Sequence, residues 1–248
     1  MFIHKRHTHD KSISKHFIHP LQALLMRISF NKVYSVVQLS AMCTLLTLYT
    51  AQKPANAQHN SQSAVAHQQI RNHIKTNNIK AAQLLIDALT TKRKIDADLF
   101  FLQGRVFQEQ KKNTDALLNY TTAIYLEPKK VNAYINRALV RGALLDLEGA
   151  MKDLNQALAI EPRNQDALLN RGVTLASLGK PKQAIEDLNK AIKINPSFAD
   201  AYLNIGIVHH LLGEKAAACQ NWQQATRLGS AEARRSEVAE CGTGSQAQ

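Results

Sequence analysis

The sequence predicts an all-α chain built from repeated helical hairpins. Two observations carry that prediction. Pro128, Pro162 and Pro196 are spaced 34 residues apart with matching columns of small residues ahead of each, and the chain is rich in Ala and Leu but only 6% aromatic, with 10 Gly and 6 Pro in 248 residues. A constant period dictates architecture before any local propensity does, and such a composition favours helices with small-residue contacts over sheets.

With 45% hydrophobic and 20% charged residues the chain has ordinary globular composition, which excludes disorder throughout. The formal charge is +12, yet seven of the 31 basic residues and only one of the 19 acidic ones, Asp10, lie in residues 1–57. The remainder is mildly basic, so net charge alone does not argue for nucleic acid.

Residues 1–57 read as an address. An apolar stretch from Val33 to Thr50 follows Arg27 and Lys32 and precedes Pro54-Ala55-Asn56-Ala57, the layout of a secretory signal with small residues at the cleavage site and an expected cut after Ala57. The competing reading is an uncleaved anchor, because 18 apolar residues approach the roughly 20 that span a bilayer; Ser35, Gln38 and Ser40 weaken it. Cys43 follows Met42, where lipid attachment requires a small residue. His4, His7, His9, His16 and His19 lack regular ligand spacing, and Met26 opens a segment that alone makes a signal of ordinary length, so Met1 and Met26 both stand as candidate starts. Residues 58–96 are expected to hold a linker and a degenerate helical pair, with Ala81 and Ala82 near register but no Gly or Pro marks.

From residue 97 the columns are regular. Ala116, Ala150, Ala184 and Ala218 form one, and Ala123, Ala157, Ala191 and Ala225 another. Gly104, Ala138, Gly172 and Gly206 are small; Phe100, Tyr134, Leu168 and Tyr202 are bulky, as are Tyr120, Leu154, Leu188 and Trp222. Small residues let antiparallel helices approach, bulky ones fill the space between units, and Pro stops the second helix. Gly179 and Gly213 fall at the turn between helices. Residues 97–230 with these columns resemble the tetratricopeptide repeat, in units 97–130, 131–164, 165–198 and 199–232. The resemblance implies a right-handed α-solenoid that binds proteins or peptides and uses no cofactor.

Residues 231–248 should supply a capping helix, as a solenoid end requires, followed by a disordered tail. Cys219 and Cys241 lie 11 residues on either side of Ser230, so antiparallel helices bring them level. A bridge there would contribute roughly 3 kcal/mol; the alternative is two unrelated thiols. No C-x-x-C is present, which argues against redox activity.

The sixth position of each unit, on the inner face that the family uses for ligands, holds Leu102, Asn136, Asn170 and Asn204. A row of Asn resembles the asparagine ladder of peptide-binding members and would pair with an extended backbone. Phe101, Ile135, Leu139, Leu169, Val173, Leu203 and Ile207 adjoin it and suggest an amphipathic peptide. Alternatively the Asn side chains bond to a neighbouring helix and the aliphatics are inter-repeat packing. The family's carboxylate clamp is not matched: Phe101 and Arg105 stand where Lys and Asn are needed, and Asp166 and Asn170 where Lys and Arg are.

No P-loop, dinucleotide fingerprint, G-x-S-x-G or H-E-x-x-H occurs, so no enzyme and no small-molecule substrate are expected. His209 and His210 point about 100° apart on a helix and have no third ligand. Asp146, Glu148 and Asp153 read as solvated helix charges. Lys92-Arg93-Lys94, Lys111-Lys112, Lys129-Lys130 and Arg234-Arg235 are short, scattered and lack interleaved aromatics, which argues against nucleic acid; attraction to acidic partners or to an anionic membrane surface is the other reading of these clusters, and a membrane is expected as a partner only if the N-terminal segment stays uncleaved. The expectation is a non-enzymatic scaffold exported from the cytoplasm and periplasmic, or an assembly factor for an envelope complex anchored through residues 33–50.

Overall fold

The computed structural model describes residues 57–91 and 96–242, with side chains from residue 63 onward. The signal or anchor segment, the Lys92-Arg93-Lys94 cluster and the tail after Gly242 lie outside the described residues. Those that are described form eleven helices and no strand: α1 (Ala57–Lys75), α2 (Ile79–Thr91), α3 (Ala97–Glu109), α4 (Asn113–Leu126), α5 (Val131–Ala143), α6 (Leu147–Ile160), α7 (Gln165–Ser177), α8 (Pro181–Ile194), α9 (Ala199–Leu211), α10 (Lys215–Arg227) and α11 (Ala231–Cys241). Consecutive helices pack on one another, and α3, α5, α7 and α9 also touch in succession. This is an all-α solenoid of stacked hairpins. No described helix is long and apolar enough to cross a membrane.

Two kinds of turn alternate, and the sequence explains both. Within each hairpin one residue adopts a left-handed conformation: Asn77, Lys111, Leu145, Gly179 and Gly213. That reversal lets the next amide reach back five residues, as from Lys180 N to the Leu175 carbonyl at 2.9 Å and from Glu214 N to the His209 carbonyl at 2.9 Å. Between hairpins the second helix stops at the proline column, and Asn164 caps α7 by accepting from Ala167 N at 3.0 Å. The α10–α11 junction departs from this pattern. Ser230 replaces proline, Gly229 takes the left-handed conformation, and Ser230 N bonds to the Ala225 carbonyl at 2.9 Å. The junction is therefore of the within-hairpin kind and α11 folds back along α10.

The small and bulky columns meet each other. Tyr120 fills the space over Gly104, where a Cβ would stand 2.7 Å from its ring, and Trp222 lies over Gly206, where a Cβ would stand 2.5 Å away. Leu154 packs with Ala138 in the second repeat. Buried Tyr120 donates to Gln108 Oε1 at 2.7 Å, and burial pushes its phenol well above the ordinary range. At the amino-terminal end α1 and α2 join the core through Ile70, Ile74, Ile86 and Leu89, packed with Leu99, Leu102 and Val106 of α3. Here Ile70 occupies the place that Gly or Ala holds in later units. At the other end Ala233 of α11 packs with Trp222, Ala225 and Leu203.

One expectation is corrected. Asp153 is not a solvated helix charge: it is 3% exposed. Arg137 grips it through two nitrogens, at 2.8 and 2.6 Å, and Arg141 adds a third bond at 2.9 Å. Asp146 caps α6 by accepting from Gly149 N at 2.9 Å.

Candidate functional site

The first helices of successive hairpins, α3, α5, α7 and α9, form one continuous face because each unit repeats the same geometry. Helical spacing puts the second, sixth, ninth and thirteenth residues of each on that face.

The sixth residues form the Asn row. Asn136, Asn170 and Asn204 each donate a side-chain N–H to the carbonyl four residues back, of Asn132, Asp166 and Asp200, all at 2.8 Å. A carbonyl accepts and cannot donate, so this bond fixes which end of each amide is nitrogen. The neighbouring helices are not the partners. The carbonyl oxygen and second N–H of each Asn have no hydrogen-bond partner among the described residues, at three successive steps.

The ninth residues form a second row. Leu139, Val173 and Ile207 are 41%, 38% and 36% exposed, high for aliphatic side chains amid a packed array. Arg105 begins the row in α3 and is half-buried. Between α5 and α7 the rows enclose a shallow, open depression of about 210 Å³ lined by Leu139, Gly142, Asn170, Val173 and Ser177 among others. The other aliphatics named from the sequence do not reach this face equally. Ile135 and Leu203 are buried in the core, Leu169 is half-buried, and Phe101 lies against the Tyr120 ring with centroids 5.9 Å apart. For these, packing between repeats describes the role.

The second residues, Asp98, Asn132, Asp166 and Asp200, three of them acidic, add a border of which the sequence reading named only Asp166. Lys130 neutralises Asp98 at 2.7 Å. Burial opposes the charge on both partners, but their bond outweighs it: Asp98 is held below the ordinary carboxylate range, and Lys130, which also holds Glu127, lies above the ordinary lysine range. Asp166 and Asp200 are exposed and make no ion pair among the described residues.

Away from this face, Cys219 and Cys241 stand with their sulfurs 2.01 Å apart and their Cα atoms 5.8 Å apart, which the fold-back of α11 makes possible. His209 is held by Glu214 at 2.5 Å, and no group of three metal-ligating side chains occurs among the described residues. The ion pairs beneath the face were the feature missed most clearly. Arg171 holds Asp187 at 2.6 Å just as Arg137 holds Asp153, and the recurrence of both residue types 34 positions apart was the available signal.

A family model described as the TPR repeat matches residues 174–213. No curated protein matches by sequence. Several solved structures share the fold. A thermophilic TPR protein of Thermus thermophilus is 17% identical, with a TM-score of 0.64 over 72% of this chain and 98% of that one. The Pseudomonas aeruginosa PilF structure is 19% identical, with a TM-score of 0.63 over 71% and 80%. A MamA crystal structure is 20% identical, with a TM-score of 0.54 over 66% and 95%.

Proposed function

We propose that this chain, a tetratricopeptide-repeat protein, is a non-enzymatic scaffold that holds an extended segment of a partner protein along the face of α3, α5, α7 and α9. The observation that carries the reading is the pairing of two rows in the same register: amide groups of Asn136, Asn170 and Asn204 left available, and aliphatics Leu139, Val173 and Ile207 left exposed, in the same three repeats. Amides address a backbone whatever its sequence, while the aliphatic row and the Asp166 and Asp200 border select side chains. The ligand is thus an extended segment with aliphatic residues and basic ones beside them. A displayed peptide library selected on the full-length protein tests this. Selected peptides should share that composition and lose at least about tenfold in affinity for Asn136→Ala/Asn170→Ala/Asn204→Ala, since each neutral hydrogen bond contributes about 0.5–1.5 kcal/mol. Equal affinity for the triple variant, with helicity intact by circular dichroism, would make the Asn row structural.

The scaffold acts outside the cytoplasm in this reading. The signal layout of residues 33–57 supports export, and Cys219 and Cys241 suit an oxidising compartment. Peptide mapping of native protein without reductant should recover the two cysteines in one linked peptide pair, and terminal sequencing should begin at Gln58. An intact segment before Gln58 would favour the anchored assembly factor, and free thiols on both cysteines would remove the argument from the bridge.

A further inference from the structure

All turns within the hairpins emerge on one edge of the stack, because the hairpins follow one another with a constant period. That edge presents leucines at its tips. Leu144 and Leu145 project from the second repeat and Leu211 and Leu212 from the fourth, with Leu145 84% and Leu211 74% exposed. Leu178, half-buried, takes the corresponding place in the third. Lysines are exposed at the other four hairpin turns of the edge, Lys75 and Lys80 at the first, Lys111 and Lys112 at the second, Lys180 and Lys182 at the fourth and Lys215 at the fifth, so the Leu144–Leu145 turn has lysine-bearing turns on both sides. The ion-paired lysines among the described residues, Lys130 and Lys190, lie elsewhere. Of the acids on this edge, Asp146 is engaged by Arg141 and Glu214 by His209, leaving Glu109 and Glu148 against the lysines.

Leu145 adds an independent observation. It sits at φ +63°, where the third and fourth repeats have Gly179 at +71° and Gly213 at +76°. This conformation disfavours a side chain. Burial does not compensate, since Leu145 is the most exposed large apolar residue described. An apolar tip kept in a strained conformation without benefit to the core belongs to a surface that something else covers.

We propose that this edge rests on an anionic lipid bilayer, with the leucine tips in the boundary between headgroups and acyl chains and the lysines against the phosphates. The exposed leucines protrude in pairs from the turns of the second and fourth repeats, which suits a deformable apolar medium better than the shaped surface of a protein. Lysine stems extend beside them and bring charge to headgroup level. The Asn row lies along the helices rather than at the turns, and the two surfaces meet at Leu211, the last residue of α9, so the scaffold holds its peptide ligand while its turns rest on the membrane.

The test uses the full-length chain with a tryptophan placed at one position at a time, read by fluorescence on vesicles carrying bromine-labelled acyl chains. All variants share residues 33–50, so the position-resolved signal, rather than bulk binding, is informative. On vesicles of phosphatidylcholine and phosphatidylglycerol, Leu145→Trp and Leu211→Trp should be quenched and blue-shifted, and Ser197→Trp on the opposite edge should not. Adding Lys111→Glu/Lys112→Glu/Lys180→Glu/Lys182→Glu should raise the lipid concentration for half-quenching at least about tenfold, and vesicles of phosphatidylcholine alone should give no quenching. Absence of quenching at both positions overturns the proposal. So does equal quenching on neutral vesicles, or a blue shift that grows with protein concentration without lipid, which would identify a second copy as the occupant.

Discussion

Across the hairpin of each inner repeat an arginine faces an aspartate, Arg137 with Asp153 and Arg171 with Asp187. At the same two places the outer repeats hold Gln103 with Asn119 and Ile205 with Asn221. The outer repeats instead place an aromatic over glycine, Tyr120 on Gly104 and Trp222 on Gly206, where the inner ones have Leu154 by Ala138 and Leu188 by Gly172. Each inner arginine also reaches the preceding hairpin: Arg137 donates to Thr121 Oγ1 at 3.1 Å and Arg171 to Asn155 Oδ1 at 2.9 Å. The two devices therefore do different things. The aromatic sets the spacing within a hairpin, and the arginine additionally ties a hairpin to its predecessor, which matters most in the middle of the array.

The ion pairs should give the largest effect. Asp187→Asn leaves Arg171 half-satisfied beneath the surface and should destabilise by about 3 kcal/mol at pH 7, while Asn221→Ala, whose side chain bonds only to its own helix at the Ala217 carbonyl, should cost under about 1 kcal/mol. Burial raises the Asp187 pKa, but Arg171 and Lys190 outweigh it and hold the group below its ordinary 3.8. A carboxylate depressed in the folded state contributes stability that is complete above its unfolded pKa and lost as pH falls through the folded one. The difference between wild type and Asp187→Asn in urea titrations should therefore be constant at neutral pH and shrink below pH 3.8. A difference that persists unchanged to lower pH would mean that packing, not charge, is responsible.

Gly206→Ala comes next. Its Cβ would meet the Trp222 ring at 2.5 Å, and the overpacking should cost about 1–3 kcal/mol in thermal unfolding. Gly142→Ala is the matched control, since nothing lies within 4 Å of that Cβ and the helix should gain up to about 1 kcal/mol. If both changes have the same sign, the glycine column does not exist to admit the aromatic. Leu145→Gly is the smallest change and should stabilise by about 0.5–1 kcal/mol by relieving the left-handed strain, raising the melting temperature while weakening vesicle binding.

The hairpin fold was legible from spacing, because packing of identical units requires identical residue types at identical intervals. The Asn row and the aliphatic row at Leu139, Val173 and Ile207 were legible for the same reason. Ile135 and Leu203 were not separable from them, since one residue of displacement along a helix turns a side chain by about 100° and both orientations accept an aliphatic. Asp153 was misread because an acidic residue in a helix looks solvated until its partner, 16 residues away on another helix, is placed against it.

By itself the sequence determined the helical hairpins, their stops at the proline column, the two turns marked by Gly179 and Gly213, and the period that stacks them, because these follow from local conformational preference and repetition. Only the tertiary structure decided which columns touch, which Asn hydrogen-bonding groups remain available, that Asp153 and Asp187 are buried, and that Leu145 is strained and exposed at the edge. Those properties depend on what another helix brings to the same point in space, and burial and hydrogen bonding are properties of that neighbourhood rather than of the residue.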